Sequence, residues 1–283
     1  MDYKNQHFVP KSYLKAWCDP KTPNDGAYVW VVSKKDRSIS RKSPSSLFSE
    51  TDFYTVYDSF GDRILELEHK LQEIESKFIL LRDSKLQKYQ LLTFSDRRSI
   101  ALFISTMYAR TKIQKADNQQ TWEEYIEYIE SLPEALSARI KQTIEFRTVQ
   151  EFYKTQPMPF HVFHFVNMTA PLLYFMNCAI YRIDQNPGFI TSDNPCLWMF
   201  DHTSPQSSSD FVSPKPSIVL PISPKQYISL EPRGPDGYLK LSDDPIVESD
   251  LVDQVNSLLV ANADKYLVVN QKTFKDTWFG LVD

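Results

Sequence analysis

The chain has 283 residues, of which 42% are hydrophobic and 24% charged, and its formal net charge is −4. These values predict a folded globular protein with no overall attraction to nucleic acid or to anionic membranes. There are only 6 glycines and no GxGxxG, GxxxxGK[ST] or GxSxG motif, so dinucleotide, P-loop and esterase functions lose their usual support.

Charge is unevenly distributed along the chain. Residues 33–43 carry five basic side chains and one acidic one, and residues 82–115 carry eight basic side chains and two acidic ones. Runs of charge are usually solvated faces, so these segments permit a phosphate-binding surface without requiring one.

The three cysteines, Cys18, Cys178 and Cys196, are odd in number and far apart, which does not resemble a disulfide framework. The N-terminus has no apolar signal core, and the longest apolar stretch is too short to span a bilayer. We therefore expect a cytoplasmic protein with no membrane association.

Residues 1–58 are predicted to form an N-terminal hairpin region. Pro10 suits the first turn of a helix that directs Tyr13, Leu14 and Trp17 inward. A strand at 28–32, a polar turn and a return through Ile39 predict a hairpin with a basic tip. A second short strand is expected at 52–56.

Residues 60–175 are predicted to be helical. Apolar residues recur at alternating steps of three and four, and glutamates that include Glu68 and Glu75 are placed on the outer faces. The seam consists of Ile64, Leu67, Leu71, Ile74, Phe78 and Leu81. A second helix is expected to start at Ser95 and Asp96, and others at 119–131 and 134–154.

Residues 176–283 are predicted to form a sheet and a last helix. Strands are expected at 179–184, 189–191, 196–200, 218–222, 226–231, 238–241 and 266–269, with the helix at 246–262 and a polar surface loop at 201–215. The fold class is therefore α+β, a single domain over 1–283 with an N-terminal hairpin, a helical middle and a C-terminal, mainly antiparallel sheet.

The most informative stretch is Phe-Ile-Thr-Ser-Asp-Asn-Pro at 189–195, which predicts a strand that stops abruptly at polar residues. Asp193 and Asn194 fit a turn whose side chains bond the backbone. Strand ends are also where α+β enzymes often place an acid, and both interpretations stay open at this point.

Metal and nucleophile signals are weak. His161 and His164 share a face only if their segment is helical, and no carboxylate or cysteine nearby completes a ligand set, so no metal site is predicted. Cys178 is expected to be a buried thiol, and nothing near Cys196 lowers its pKa.

Acid–base cleavage of a phosphodiester needs a group that titrates near neutrality, a residue that orients it and a fixed cation for the phosphate. The chain supplies these types as His7, as Asp193 with Asn194, and as Arg110. Considered alone, His7 better fits a structural hydrogen-bonding residue at the start of the first helix.

A series of short motifs runs along the chain: Gln-His-Phe-Val-Pro at 6–10 followed by Tyr13 and Leu14, Asp-Phe-Tyr at 52–54, Arg110 with Thr111, the 189–195 stretch, Pro-Ile-Ser-Pro at 221–224, and Asn256. In this order they resemble the domain-of-unknown-function 4238 family over nearly the whole chain. The 201–215 loop and the pair His161 and His164 depart from the family pattern, which further weakens a metal site.

The resemblance implies no established activity, but it does imply a bacterial or prophage protein, in some cases associated with anti-phage defence. It places weight on His7, Arg110, Asp193 and Asn256 as one shared site. The same four residues also fit a hydrogen-bonded knot that ties the N-terminal segment to the late sheet.

The leading hypothesis is a defence-associated effector that hydrolyses nucleic acid, with RNA favoured over DNA and the cofactor left unknown. His7 is its general acid or base, Asp193 orients His7 or a metal, and Arg110 binds phosphate. Gln6, Asn194 and Asn256 position the substrate. The alternatives are a non-enzymatic sensor of a phage protein or other phage component, and an enzyme that processes a small nucleotide.

Overall fold

The computed structural model describes residues 5–280 except 22–25, 59, 89, 156, 185, 200–216 and 234–248. The described helices are α1 (Lys11–Leu14), α2 (Glu66–Ser84), α3 (Phe94–Ala109), α4 (Lys112–Ser131), α5 (Glu134–Gln142), α6 (Ile144–Thr155), α7 (Pro157–Tyr174) and α8 (Ser249–Asn262). The described strands are β1 (Asn5–His7), β2 (Val29–Ser33), β3 (Ile39–Lys42), β4 (Ser49–Thr51), β5 (Val56–Tyr57), β6 (Arg63–Ile64), β7 (Asn177–Arg182), β8 (Thr191–Ser192), β9 (Leu197–Met199), β10 (Ser217–Ser223), β11 (Gln226–Glu231) and β12 (Tyr266–Val269). The predicted α+β class is confirmed.

The described strands include two four-stranded antiparallel sheets. The first has the order β7-β11-β10-β9 and contains late strands, as expected. The second has the order β3-β2-β12-β8, in which Val31 of the early hairpin lies opposite Val268. The N-terminal hairpin is therefore not a separate region, because it completes a sheet with strands from the other end of the chain.

Strand β10 shows how the core is divided. Ile218 and Leu220 face one hydrophobic cluster, which they share with α1, α2, α3 and α7, while Val219 between them faces a second cluster that contains α8 and β12. This alternation is the period of two that a strand imposes. The two central strands of the first sheet, β10 and β11, are therefore buried on both faces.

Helices α2 and α3 pack against each other through the predicted seam. The rings of Phe78 and Phe103 stack with centroids 3.8 Å apart, and α3 begins with a capping box formed by Thr93 and Asp96. Ile64 is the exception, because it lies in the short strand β6 before the helix begins. The segment predicted as one helix at 134–154 is two helices, with Thr143 between them.

The segment predicted as a strand at 52–56 is mostly a turn, so that prediction was wrong. Asp52 has φ of 52°, the left-handed region that short polar residues tolerate best, and its carboxylate accepts a hydrogen bond from the Thr55 hydroxyl at 3.0 Å. Only Val56 continues into strand β5. The expected strand at 238–241 and the loop at 201–215 lie outside the described residues.

Helix α1 is joined to the late sheet by buried polar side chains. The Tyr13 hydroxyl lies 2.8 Å from Thr191 Oγ1 and donates to the carbonyl oxygen of Pro221 at 2.6 Å. The indole N–H of Trp17 donates to the carbonyl oxygen of Phe189 at 2.8 Å. These bonds hold the N-terminal segment against the 189–195 stretch, which here enters strand β8 only at Thr191.

Candidate functional site

Five polar side chains from distant parts of the chain gather between β1, α2 and the end of α3. We call this group the N-terminal polar cluster, and it consists of His7, Tyr54, Glu68, Glu75 and Arg110. Strand β1 supplies the histidine, the 52–55 turn supplies the tyrosine, and α2 supplies both carboxylates. Arg110 is the residue that ends α3.

Arg110 is the centre of the cluster and has no solvent exposure. Its Nη1 donates to Glu75 Oε1 at 2.6 Å, whereas Nε and Nη2 are buried without a hydrogen-bond partner in the described part of the chain. Burial alone would lower the pKa of the guanidinium, but Glu75, Tyr54 and Glu68 raise it, so Arg110 is a permanent cation. A buried guanidinium with two unused donors is able to stabilise further negative charge.

Glu68 and Glu75 were predicted on the outer faces of α2, and that placement was wrong. Both are half-buried, and with Gln72 they form a polar stripe at i, i+4 and i+7 beside the apolar seam. Burial raises the pKa of Glu68, and its Oε2 has no partner among the described residues. The i, i+4, i+7 spacing of acid and amide groups is the signal that sequence reasoning missed.

His7 is the half-exposed member of the cluster. Its Nε2 lies 3.3 Å from the carbonyl oxygen of Ser45, which only accepts, so Nε2 carries the proton and Nδ1 keeps its lone pair in the neutral ring. Burial lowers the pKa of His7, with Lys11 and Arg110 acting in the same direction. The imidazole is therefore mostly neutral at pH 7.

Gln6, predicted to position substrate, is buried beside His7 and bonds only neighbouring protein groups. Its Nε2 donates to Thr55 Oγ1 at 2.9 Å and its Oε1 accepts from the backbone N–H of Tyr54 at 2.7 Å. Gln6 thus fixes β1 against the 52–55 turn, and Tyr54 in turn donates to the carbonyl oxygen of His7 at 3.2 Å.

Lysines from α1 and the start of α4 lie around this cluster. Lys11 is exposed and close enough to His7 to affect its pKa. Lys112 and Lys115 bind the Glu50 carboxylate at 2.9 and 3.4 Å. These three lysines outnumber the single Glu50 carboxylate that pairs with two of them.

Asp193 belongs to a second group, at the end of β8. Its two carboxylate oxygens accept hydrogen bonds of 2.8 to 3.0 Å from the backbone N–H groups of three consecutive residues, Asp264, Lys265 and Tyr266. Burial raises the pKa of Asp193 and these three N–H groups oppose that rise. The carboxylate holds the turn between α8 and β12.

Asn194 and Asn256 make bonds of the same kind. The amide of Asn194 donates to the carbonyl oxygen of Asn262 at 3.0 Å, and Asn262 donates back to Asn194 at 2.8 Å. Asn256 accepts from the N–H of Ile190 at 3.0 Å and donates to the carbonyl oxygen of Gly188 at 3.1 Å. We call Asp193, Asn194, Asn256 and Asn262 the late-sheet cluster.

The structure thus brings His7 and Arg110 together, while Asp193, Asn194 and Asn256 lie together elsewhere. His7 and Asp193 are both described, and no hydrogen bond joins them. The predicted orientation of His7 by Asp193 is therefore not observed. The late-sheet bonds join segments within residues 188–266, whereas the predicted knot ties the N-terminal segment to the late sheet through all four residues.

The two other singled-out histidines lie on α7. His161 is half-buried near Phe165, with Nε2 unpartnered among the described residues, and His164 is exposed with its ring 4.2 Å from that of Phe160. The described residues hold no group of three or more His, Cys, Asp or Glu side chains placed for a metal ion. None of the described helices is long and apolar enough to cross a membrane.

Comparison with known proteins places the chain in a family but assigns no activity. Neither the curated proteins nor the solved structures contain a match to it. Residues 5–273, which include both polar clusters, match a protein family described as protein of unknown function, DUF4238. The chain therefore belongs to the DUF4238 family.

Proposed function

We propose that the N-terminal polar cluster cleaves phosphodiester bonds of nucleic acid, with RNA as its preferred substrate. The observation that carries the proposal is the Arg110 guanidinium, which is fully buried beside a neutral histidine and two carboxylates and keeps two donors unused. A buried donor without a partner needs an explanation, and a catalytic role is one such explanation.

His7 acts as the general base. Since its Nε2 proton is directed to the Ser45 carbonyl oxygen, Nδ1 is the atom that accepts a proton. The lowered pKa of His7 keeps this nitrogen unprotonated at neutral pH, which a base requires. The residue is half-exposed, so a substrate hydroxyl reaches it from solvent.

Glu68 acts as the general acid. Burial raises its pKa, so a larger share of its carboxyl groups carries a proton at mildly acidic pH than in an ordinary glutamate. Environments that move the pKa values of two neighbouring groups in opposite directions are typical of acid–base pairs. Here the histidine is shifted toward its base form and the glutamate toward its acid form.

RNA is favoured because it carries its own nucleophile. His7 takes the proton of a ribose 2′-hydroxyl, the 2′-oxygen forms a bond to phosphorus, the bond from phosphorus to the 5′-oxygen breaks, and Glu68 protonates the departing 5′-oxygen. Arg110 stabilises the added negative charge from beneath, and the lysines of α1 and α4 attract the backbone. DNA lacks the 2′-hydroxyl that this step needs.

The test is cleavage of a fluorescent RNA oligonucleotide, with a DNA oligonucleotide of the same sequence beside it. The variant His7→Gln removes the base, and we expect the rate to fall by about 10²- to 10⁴-fold, the usual contribution of such a group. The matched control is His69→Gln, which changes an exposed histidine on α2 and leaves the rate unchanged. RNA left intact by the wild-type protein, or cut equally fast by His7→Gln, overturns the proposal.

The pH profile tests the two roles separately. Activity needs His7 unprotonated and Glu68 protonated, so the rate rises as pH increases through the lowered pKa of His7 and falls as pH increases through the raised pKa of Glu68. We expect an optimum on the acidic side of neutrality. Glu68→Gln lowers the rate and removes the decline at higher pH, while a profile that this variant leaves unaltered contradicts the acid role.

We extend the proposal to the cell, where this activity serves as a toxic effector of anti-phage defence in the bacterial cytoplasm. The support for this role is the family resemblance alone. A culture that expresses the wild-type protein is expected to reduce phage plaque formation, and the His7→Gln variant is expected to lose that protection. Equal protection by both proteins would favour the alternative of a non-enzymatic sensor.

A further inference from the structure

A separate cavity of about 380 Å³ lies beside the turn between β10 and β11. It is formed where the segment after α1 meets this turn and the short helical turn after α2. Its lining includes Cys18, Gln87, Ser223, Pro224, Gln226 and Asn270. None of these residues belongs to either polar cluster.

Gln226 is the residue that singles out this cavity. It is 3% exposed, and its Nε2 donates to the carbonyl oxygen of Leu86 at 3.0 Å, which fixes the orientation of the amide. Its Oε1 is buried with no donor among the described residues. An acceptor that is removed from water and left unpaired destabilises the folded state, unless a bound molecule supplies the missing donor.

The wall of the cavity is rigid. A Cβ atom at Gly188 would lie 1.8 Å from the carbonyl oxygen of Pro224, so only glycine allows the two backbones to approach so closely. The same carbonyl oxygen accepts from the N–H of Phe189 at 2.8 Å, and Ser223 Oγ accepts from the N–H of Lys225 at 3.2 Å. The site is therefore formed before any ligand arrives.

We propose that this cavity binds a neutral molecule of nucleobase size, which donates an N–H group to Oε1 of Gln226. The volume is at the small end of the range for small-molecule sites and excludes a polymer. Three amide side chains, from Gln87, Gln226 and Asn270, line the cavity and provide donors and acceptors. Asp184 and Lys225 also line it, and their opposite charges leave the lining without net charge. This is the chemistry by which proteins bind the polar edge of an isolated base.

Cys18 provides a direct readout of occupancy. It lines the cavity and is half-buried, whereas Cys178 and Cys196 are buried, so iodoacetamide reacts with Cys18 before the others. Adenine, cytosine and uracil are added separately to the wild-type protein, and we expect at least one of them to slow the alkylation of Cys18 in a saturable way. The Cys18→Ser variant shows that the measured rate belongs to this thiol.

Two further variants decide the result. Gln226→Met removes the acceptor, and we expect about fivefold weaker protection, the effect of one lost hydrogen bond. If this variant does not fold, Asn270→Trp, which places a bulky side chain in the lining at a half-buried position, tests the same site. The inference is overturned if no base changes the alkylation rate, or if protection is equal in wild type and variants. Protection that survives in His7→Gln separates this site from phosphodiester cleavage.

Discussion

The two polar clusters differ in the partners that their side chains bond. In the late-sheet cluster, the Asp193 carboxylate and the amides of Asn256 and Asn262 bond to backbone groups. In the N-terminal polar cluster, Arg110 and Glu75 bond to each other, and three buried side-chain atoms of Arg110 and Glu68 have no partner among the described residues.

The late-sheet side chains use their hydrogen bonds to stabilise the backbone, whereas the N-terminal polar cluster contains polar atoms that make no hydrogen bond among the described residues. A side chain whose atoms are all used by the backbone stabilises one geometry and has nothing left for a substrate. Unpaired donors and acceptors that are buried next to charged groups mark a candidate functional site. Among the described residues, Asn194 Oδ1 is the unpartnered atom of the late-sheet cluster, and the Asp193 carboxylate next to it in the sequence is already engaged by three N–H groups.

The largest expected effect comes from Asp193→Ala. This change removes a buried carboxylate and leaves the backbone N–H groups of three consecutive turn residues without their acceptor, so we expect the free energy of unfolding to fall by about 3 to 6 kcal/mol. The measurement is urea denaturation monitored by circular dichroism. His7→Gln, which alters a half-exposed side chain, should change stability by less than about 1 kcal/mol. Equal losses for the two variants would remove the distinction between the clusters.

The next effect comes from the ion pair of Arg110 and Glu75. Arg110→Met alone leaves the half-buried Glu75 carboxylate without its cation, and we expect a loss of about 3 to 5 kcal/mol. The double variant Arg110→Met with Glu75→Met replaces the pair by apolar groups and should recover most of that stability. It should still lack RNA cleavage. A stable double variant that cleaves RNA would show that the pair is only structural.

The smallest effect concerns His161. Its Nε2 is buried without a partner among the described residues, and burial is the one cause of its pKa shift. Burial lowers the pKa of His161 to about 4, below the ordinary value near 6.5. The unfolded chain therefore binds the proton first, and stability is lost as pH falls from about 6.5 to about 4.

The variant His161→Leu should reduce that loss by about 2 kcal/mol between pH 7 and 4.5. The matched control is His164→Leu, at an exposed position on the same helix, which should leave the pH dependence unaltered. Urea denaturation at the two pH values gives the comparison. If wild type and His161→Leu lose the same stability between the two pH values, the unpartnered nitrogen does not affect the pH dependence of stability. That result would also weaken the use of unpartnered atoms as a sign of a functional site.

Local patterns in the sequence predicted most elements of the fold. Steps of three and four placed α2 and α3, and the short apolar run at 266–269 placed β12, because these signals depend only on neighbouring residues. The turn at Asp52 was missed because residues 52–56 are rich in aromatic and β-branched side chains, which favour a strand. The left-handed backbone of Asp52 is not visible in that pattern. The pairing of β2 with β12 depends on residues more than two hundred positions apart, and no local pattern encodes it.

The candidate site was only half predictable for the same reason. His7 and Arg110 were selected by residue type and family resemblance, yet Glu68 and Glu75 look like ordinary solvated residues in a charged helix. Only the packing of α2 against the end of α3 shows that they face a buried cation. Asp193 is a carboxylate at a strand end, which fits both a catalytic acid and a turn-forming residue. Only its hydrogen-bond partners show that it forms a turn.

The buried hydroxyl of Tyr13 has a consequence for how the protein is made. Its partners at Thr191 and Pro221 are 178 and 208 residues further along the chain, so α1 leaves the ribosome long before they do. Helix α1 cannot make these bonds until the late sheet has been synthesised, whereas β1 pairs with β4, which lies within the first 51 residues. The contact between α1 and the late sheet therefore forms late in folding, after most of the chain has left the ribosome.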